Sequence, residues 1–465
     1  MQLHWQDLGS SRADSADRTT VEITGFAATV LPAARATHFI LTAEQGCCPG
    51  CFPRDRSASV EVFAAAPIPA GGRSLRLTGT WRVRRDDPDD WRYQLLGARL
   101  LEPAGWSAVT RRGVLAGGPL MCLAACANTT VASEQRQADA QSALQAAPSV
   151  DIHSHAGGIA STSRMRTGRA FEAVARPMRQ GNMAVICHAV VSDGPTHRVM
   201  ADGRIHPYRQ PDPGELYQYS QLAFGRVHGL AKDQGLTIIR TAAELHAAKA
   251  GTASAIIAAE GADFLEGQVD RVDETHAKWD LRHLQLTHYR VNELGDIQTE
   301  PAEHGGLTDV GAEVIRRCNR LGIVVDVAHG TYDLVKRAAS VTTKPLVLSH
   351  TSLSDNPGRY SRRISAAHAR VIASTGGVVG VWPPESEFPS FTAMATGMAR
   401  MVDVAGIDHV GLGTDMMGLV GPSILPDYDR LPGLAEALIG VGFSVADTTK
   451  LLGGNYIRVF EATVV

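Results

Sequence analysis

From residue 148 onward the chain alternates short apolar runs with segments long enough to be helices, and eight such runs can be counted. They are SVDIHSH (149–155), MAVICHAVV (183–191), SAIIAAEG (254–261), LRHLQLTH (281–288), GIVVDVAH (322–329), KPLVLSH (344–350), GGVVGVW (376–382) and DHVGLGTD (408–415). Strands covered on both faces of a parallel sheet read as near-continuous apolar runs, and their alternation with helical segments is the signature of βαβ units. Eight units favour an α/β fold closed as a (β/α)₈ barrel over an open doubly wound sheet.

A single barrel of this kind takes about 250 residues, so a chain of 465 residues has room for more. Residues 1–103 carry short β-like runs broken by turn residues, among them VEITGFAATVL, ASVEVFAA and SLRLTGTWRVRR. They predict a small all-β domain, of OB type. Residues 104–147 form a third segment, and residues 148–465 the barrel domain. Within the middle segment, Arg111 and Arg112 precede an apolar run that ends in Leu-Ala-Ala-Cys126. That order matches a twin-arginine export signal with a lipoprotein cleavage box. If the signal is used, the barrel domain lies on the periplasmic side of the cell envelope with a lipid anchor at Cys126; otherwise it is cytoplasmic. Two origins stay open for a signal placed behind a β domain: two joined reading frames, or a linker that resembles a signal. Residues 127–147 are small and polar, as expected of a tether.

Six of the eight runs end at, or close to, a side chain able to bind a metal or move a proton. Catalytic groups of such barrels project from the C-terminal strand ends, while the rest of each strand is core. His153 and His155 alternate on the first strand, so both point to one face. Glu260 follows an apolar stretch, where a buried carboxylate is expensive unless something positive compensates it. His329 and His350 end two consecutive runs, and Asp415 ends the last, placed to pass a proton between an attacking water and a leaving group. His288 closes the fourth run and is a candidate for stabilising charge on a carbonyl oxygen. Asp326 reads either as a partner that fixes a ligand imidazole or as a structural aspartate.

The strings DIHSH, AAEG, LTHYRVNELGD, VVDVAH, LSHTS, GGVVGV, HVGLGTD and GGNYIRVF occur in order over residues 148–462. In that order and spacing they resemble the membrane (renal) dipeptidase family, peptidase family M19, within the amidohydrolase-like metal-dependent hydrolases. The resemblance implies a metallodipeptidase that cleaves dipeptides or similar short amides with a hydroxide shared by two zinc ions. It implies that Glu260 bridges the ions, with His153, His155 and Asp415 around one and His329 and His350 around the other; other divalent ions are admissible. It also implies that Arg362, in SRRIS, captures a substrate carboxylate, with Arg359 and Arg363 as neighbouring alternatives. In one place the chain departs from the family, which commonly carries H-x-D on the first strand where this sequence has H-x-H. His155 leaves the site one unit more positive, which bears on metal preference and substrate.

The composition is consistent with a small-molecule enzyme. With 45 basic against 48 acidic residues the formal charge is -3, so no bulk attraction to nucleic acid or anionic lipid is expected. Among seven cysteines, Cys187 and Cys318 read as small buried hydrophobes. Cys47, Cys48 and Cys51 fit a zinc half-site, a redox pair or a tight-turn disulfide, a structural role ranking above catalysis. The expected partners are a dipeptide-like substrate and a second copy in a homodimer. The rival readings are another hydrolase of the same barrel, a lactonase or deoxyribonuclease, and a non-catalytic envelope binding protein.

Overall fold

The computed structural model describes residues 1–28, 35–43, 59–69, 74–83, 92–101, 134–161 and 170–464. The chain divides into two compact units, Met1–Met121 and Cys122–Val465. Arg111, Arg112, Cys126 and the Cys47, Cys48, Cys51 cluster lie outside the described residues.

Five strands make up the first unit: β1 (Thr20–Ala28), β2 (Arg35–Thr42), β3 (Val60–Pro69), β4 (Ser74–Val83) and β5 (Tyr93–Leu100). They close in the order β1-β2-β3-β5-β4, with β3 and β5 parallel and the other pairs antiparallel. Closure removes the exposed sheet edges that would pair with other chains. The period-two pattern fills the interior with Val21 and Ile23, Phe39 and Leu41, Val60 and Val62, Leu75 and Leu77, and Tyr93 and Leu95, all buried. Trp81 stacks on Tyr93 at 5.2 Å and donates its indole N–H to the Ala13 carbonyl at 2.9 Å. That bond satisfies the one polar atom of a fully buried ring.

In the second unit, all eight apolar runs contain strands: β6 (Val150–Ser154), β7 (Val185–Val191), β11 (Ser254–Glu260), β12 (Leu281–Gln285), β13 (Val324–Asp326), β14 (Leu346–Thr351), β15 (Val378–Val381) and β16 (Val410–Leu412). Two short strands, β8 (His197–Val199) and β9 (Ile205–Pro207), form a hairpin after β7, and β10 (Thr237–Ile238) flanks β11. Neighbours along the order β6-β7-β11-β12-β13-β14-β15-β16 pair in parallel. Past the end of β16 the backbone joins β6: Asp415 N–H donates to the His153 carbonyl at 3.0 Å and His155 N–H to the Met416 carbonyl at 2.9 Å. The sheet is therefore a barrel, drawn together where the candidate donors sit.

Four of the connecting helices between β12 and β16 start at side-chain caps, as their sequences dictate. Thr308, Thr331, Ser365 and Ser390 each accept a hydrogen bond from a backbone N–H of the first turn. The helix Asp309–Leu321 turns Ala312, Ile315 and Cys318 inward. Cys318 and Cys187 are free and buried, as small hydrophobes should be.

The tether reading of residues 127–147 needs correction over its second half. Residues 134–146 are helical, and Ala140 and Leu144 pack into the barrel's core cluster. The spacing of Ala140 and Leu144 is one helical turn, a stripe hidden by the polar residues around it. Replacing Leu144 with alanine is expected to lower barrel stability by about 2 kcal/mol or more, measured by urea unfolding of the full chain; a tether residue would show no change.

Candidate metal centre

Glu260 ends β11, and five imidazoles surround its carboxylate. Oε1 lies 3.3 Å from His153 Nε2, 3.3 Å from His329 Nε2 and 3.4 Å from His350 Nε2. Oε2 lies 3.0 Å from His155 Nε2 and 3.2 Å from His288 Nε2. Asp415 completes the group, with Oδ1 3.4 Å from His155 Nε2. All seven residues are at most 8% exposed. The structure thus brings together every one of the metal and proton-transfer candidates read from the strand ends.

Local backbone geometry sets these side chains. His329 and Asp415 stand just beyond their strands at φ 66 and 50, a left-handed conformation few non-glycine residues adopt. Gly418 leaves the room that Asp415 and His155 need: a Cβ there would stand 2.0 Å from Asp415 Oδ1 and 2.6 Å from His155 Cδ2. The outer nitrogens of several rings are anchored. His155 Nδ1–H donates to the Ala189 carbonyl at 2.8 Å, His350 Nδ1 meets Ser349 Oγ at 2.8 Å and His288 Nδ1 meets Asp193 Oδ1 at 2.7 Å. With Nδ1 engaged outward, Nε2 faces the centre.

Two pairs of inner nitrogens meet head to head, His153 with His155 at 3.2 Å and His329 with His350 at 3.1 Å. At that separation each pair of nitrogens shares either a proton or a metal ion. Each pair, together with Glu260 and, on the first side, Asp415, is a donor set of nitrogen and carboxylate oxygen suited to zinc and similar divalent ions. Ligand atoms of His153, His155 and Asp415 lie within 4.8 Å of one another, and so do those of His153, Glu260 and His350 and those of Glu260, His288 and His329. The residues therefore fit cations on both sides of Glu260.

The charges of the protein alone agree with this. Burial would raise Glu260, but His288, His153 and His155 outweigh it and hold the carboxyl well below its ordinary range. Burial drives His329 and His350 well below the usual imidazole value. Burial also opposes a charge on His155, yet Glu260 and Asp415 overcome it and push the ring up to about 9. Burial raises Asp415 to about 7, against the pull of His155 and with the help of Glu260.

Asp151 does not stand in for a carboxylate at position 155. It accepts hydrogen bonds from Thr414 N–H at 2.7 Å, Thr414 Oγ1 at 2.5 Å and Tyr428 OH at 2.7 Å, tying the first strand to the last. Asp326 likewise takes the structural alternative. It accepts from the N–H groups of Ala328 at 2.9 Å and Ser349 at 3.1 Å and pairs with His283 Nε2 at 3.2 Å.

A cavity of about 400 Å³ opens onto the cluster, and Tyr289, Trp382 and Arg362 share its wall with the donors. Of the three neighbouring arginines, Arg363 pairs with Glu387 at 2.6 Å and Arg359 lies over the Tyr360 ring at 4.7 Å. Arg362 is held by the Gln298 side chain at 2.8 Å and the His350 carbonyl at 3.2 Å, and its Nε has no partner among the described residues. No carboxylate neutralises it within ion-pair distance among the described residues. Asp193, beyond the end of β7, is the site residue that the strand-end reading missed. The apolar run stops at Val191, and the acid two positions on looks like loop, although a carboxylate closing an apolar run was the same signal that revealed Glu260.

Barrel and donor cluster together define a (β/α)₈ protein of the metal-dependent hydrolase type. The chain belongs to the membrane dipeptidase family, peptidase family M19, whose family model matches residues 211–464. His153 and His155 stand before that stretch. The chain is 30% identical over 222 residues to dipeptidase aclJ of Aspergillus oryzae, covering 45% of this chain and 51% of the relative. It is 27% identical over 188 residues to dipeptidase verJ of Clonostachys rogersoniana, covering 39% and 48%. It therefore spans about half the length of the curated relatives it matches. Among solved structures, the probable dipeptidase PvdM from Pseudomonas aeruginosa superposes with a TM-score of 0.59 at 17% identity, covering 71% of this chain and 98% of that one. A metallopeptidase from Rhodobacter sphaeroides, liganded with a phosphinate mimic of L-Ala-D-Ala, gives 0.58 at 22% identity, covering 68% and 99%. These two likenesses establish the barrel fold.

Proposed function

We propose that the chain is a binuclear zinc dipeptidase that hydrolyses the amide bond of dipeptides or similar short amides. The observation that carries this reading is the convergence of five imidazoles on the Glu260 carboxylate, in a cavity whose wall also presents an arginine with no acidic partner among the described residues. Glu260 would be shared by the two ions, His153, His155 and Asp415 would complete one side, and His329 and His350 the other. When bound, the ions supply an acidified water and polarise the scissile carbonyl.

The remaining work belongs to the protein's own side chains. Arg362 receives the substrate's C-terminal carboxylate, a planar guanidinium meeting a planar anion. Gln298 and the His350 carbonyl fix its direction, so the bound dipeptide extends from the arginine toward Glu260. His288 presents Nε2 to the cavity and stabilises charge that develops on the carbonyl oxygen. Asp415 takes a proton from the attacking water and delivers it to the departing amine. Tyr289 and Trp382 form aromatic walls around the reacting bond.

A panel of dipeptides in both stereochemical series, run with zinc-loaded protein beside lactones and single-stranded DNA, tests the reading. Turnover confined to dipeptides supports it, and turnover confined to either other class replaces it. Arg362→Met is expected to raise KM for dipeptides by about 10- to 100-fold, while dipeptide amides, which lack the carboxylate, change little. Equal losses on both substrates would remove the carboxylate role.

A further inference from the structure

We infer that Asp193 is the positioning residue of the reaction, holding the His288 ring with Nδ1 turned away from the cavity and Nε2 turned into it. The inference rests on the dipeptidase reading for its kinetic consequence, and on geometry alone for the orientation of the ring.

Asp193 is fully buried just past the end of β7. A carboxylate taken out of water there needs strong partners, yet no arginine or lysine reaches it among the described residues. Arg290, the nearest guanidinium in sequence to His288, is engaged instead by Asp263 at 2.9 Å and Glu293 at 3.1 Å. Two hydrogen-bond partners of Asp193 are directed at one place. Oδ1 meets His288 Nδ1 at 2.7 Å, and Oδ2 accepts the Tyr289 backbone N–H at 3.0 Å. One carboxylate thus fixes both the ring of residue 288 and the backbone that follows it.

The opposite edge of the ring carries Nε2, 3.2 Å from Glu260 Oε2. Turning the ring over would place carbon where that nitrogen now faces the cavity and would break the bond to Asp193. His197, at the start of the β8–β9 hairpin, closes the other side. Its Nδ1 is 3.3 Å from the same Asp193 oxygen, and its ring meets His288 edge to face at 5.1 Å and 84°. The ring is therefore held by a hydrogen bond on one edge and by packing on one face. Carboxylates that orient a working imidazole in this way contribute without touching substrate.

The test is a double-substitution cycle in the full chain loaded with zinc. Asp193→Asn is expected to lower kcat by about 10- to 100-fold with KM and zinc content unchanged, and Asp193→Glu to recover part of the loss. In a His288→Asn background the same Asp193→Asn change should have no further effect. An equal loss in both backgrounds, or no loss in the native background, overturns the inference. Nitrogen-15 NMR of the native protein's histidines gives a readout that needs neither variant nor turnover. A His288 ring carrying a proton on Nδ1, facing Asp193, and on Nε2, where it must donate to the carbonyl oxygen, supports the inference; a ring lacking either proton overturns it. If the native chain cleaves no dipeptide, the proposed function fails, while the ring measurement still decides the role of Asp193.

Discussion

Replacing Glu260 with glutamine is expected to abolish dipeptide hydrolysis, with kcat falling on the order of 10³-fold or more. Glutamine keeps the volume of the side chain and removes its charge. The five imidazoles that now face two carboxylate oxygens at 3.0 to 3.4 Å would face an amide, whose nitrogen cannot act as an acceptor. Both donor sets lose the member they share, so zinc content should fall together with activity. Steady-state kinetics and elemental analysis on one preparation check this. A Glu260→Gln protein with native turnover and native metal would mean that the carboxylate is a structural counter-charge and nothing more.

The second large effect concerns the strands behind the site. Cβ atoms added at Gly380 and Gly413 would each stand 1.8 Å from the Ser349 carbonyl oxygen. Ser349 is backbone in the middle of β14, and its hydroxyl meets His350 Nδ1 at 2.8 Å. Neither glycine can gain a methyl group without moving β14 and the imidazole it carries. Gly380→Ala or Gly413→Ala is expected to destabilise the barrel by about 3 kcal/mol or more, the upper range for overpacking a core, and to weaken zinc binding as well. Gly229→Ala is the control. It lies in the helix Glu215–Gln234 with nothing within 4 Å of the added atom, and should stabilise the chain by up to about 1 kcal/mol. Thermal unfolding of the three variants would separate close packing from a general intolerance of alanine.

The barrel was legible in the sequence because its physics is local. A strand buried on both faces must be apolar along its length, and the acid or imidazole that ends such a run stands out against it. Glu260, His329, His350 and Asp415 are visible for that reason, and the alternation of His153 with His155 gives their common face. The all-β unit is equally plain, since Val21 and Ile23 or Leu75 and Leu77 repeat at the strand period. What escaped depends on contacts between distant residues. Nothing near Asp151 announces that Thr414 and Tyr428 will bind it. Nothing in SRRIS shows that Arg363 turns to Glu387 while Arg362 turns to the cavity. Asp193 was hidden by its place in a loop, and its partner His288 lies 95 residues away. The helix over 134–146 was hidden by composition, because three buried residues, two of them alanine, in a polar stretch do not read as a core-facing stripe.

His155 gives the centre its particular character. It supplies an imidazole near both Glu260 and Asp415, so two carboxylates and a surplus of imidazoles surround the proposed ions. Nitrogen-rich sites of this kind favour zinc over magnesium or calcium.

The stoichiometry of zinc on the full chain, measured by elemental analysis after exhaustive dialysis against metal-free buffer and reloading, tests the centre most directly. Two ions per chain, lost together when Glu260 is replaced, is the predicted result. Fewer than one ion per chain after reloading would contradict the account, since these buried imidazoles would then converge on Glu260 for some purpose other than holding metal.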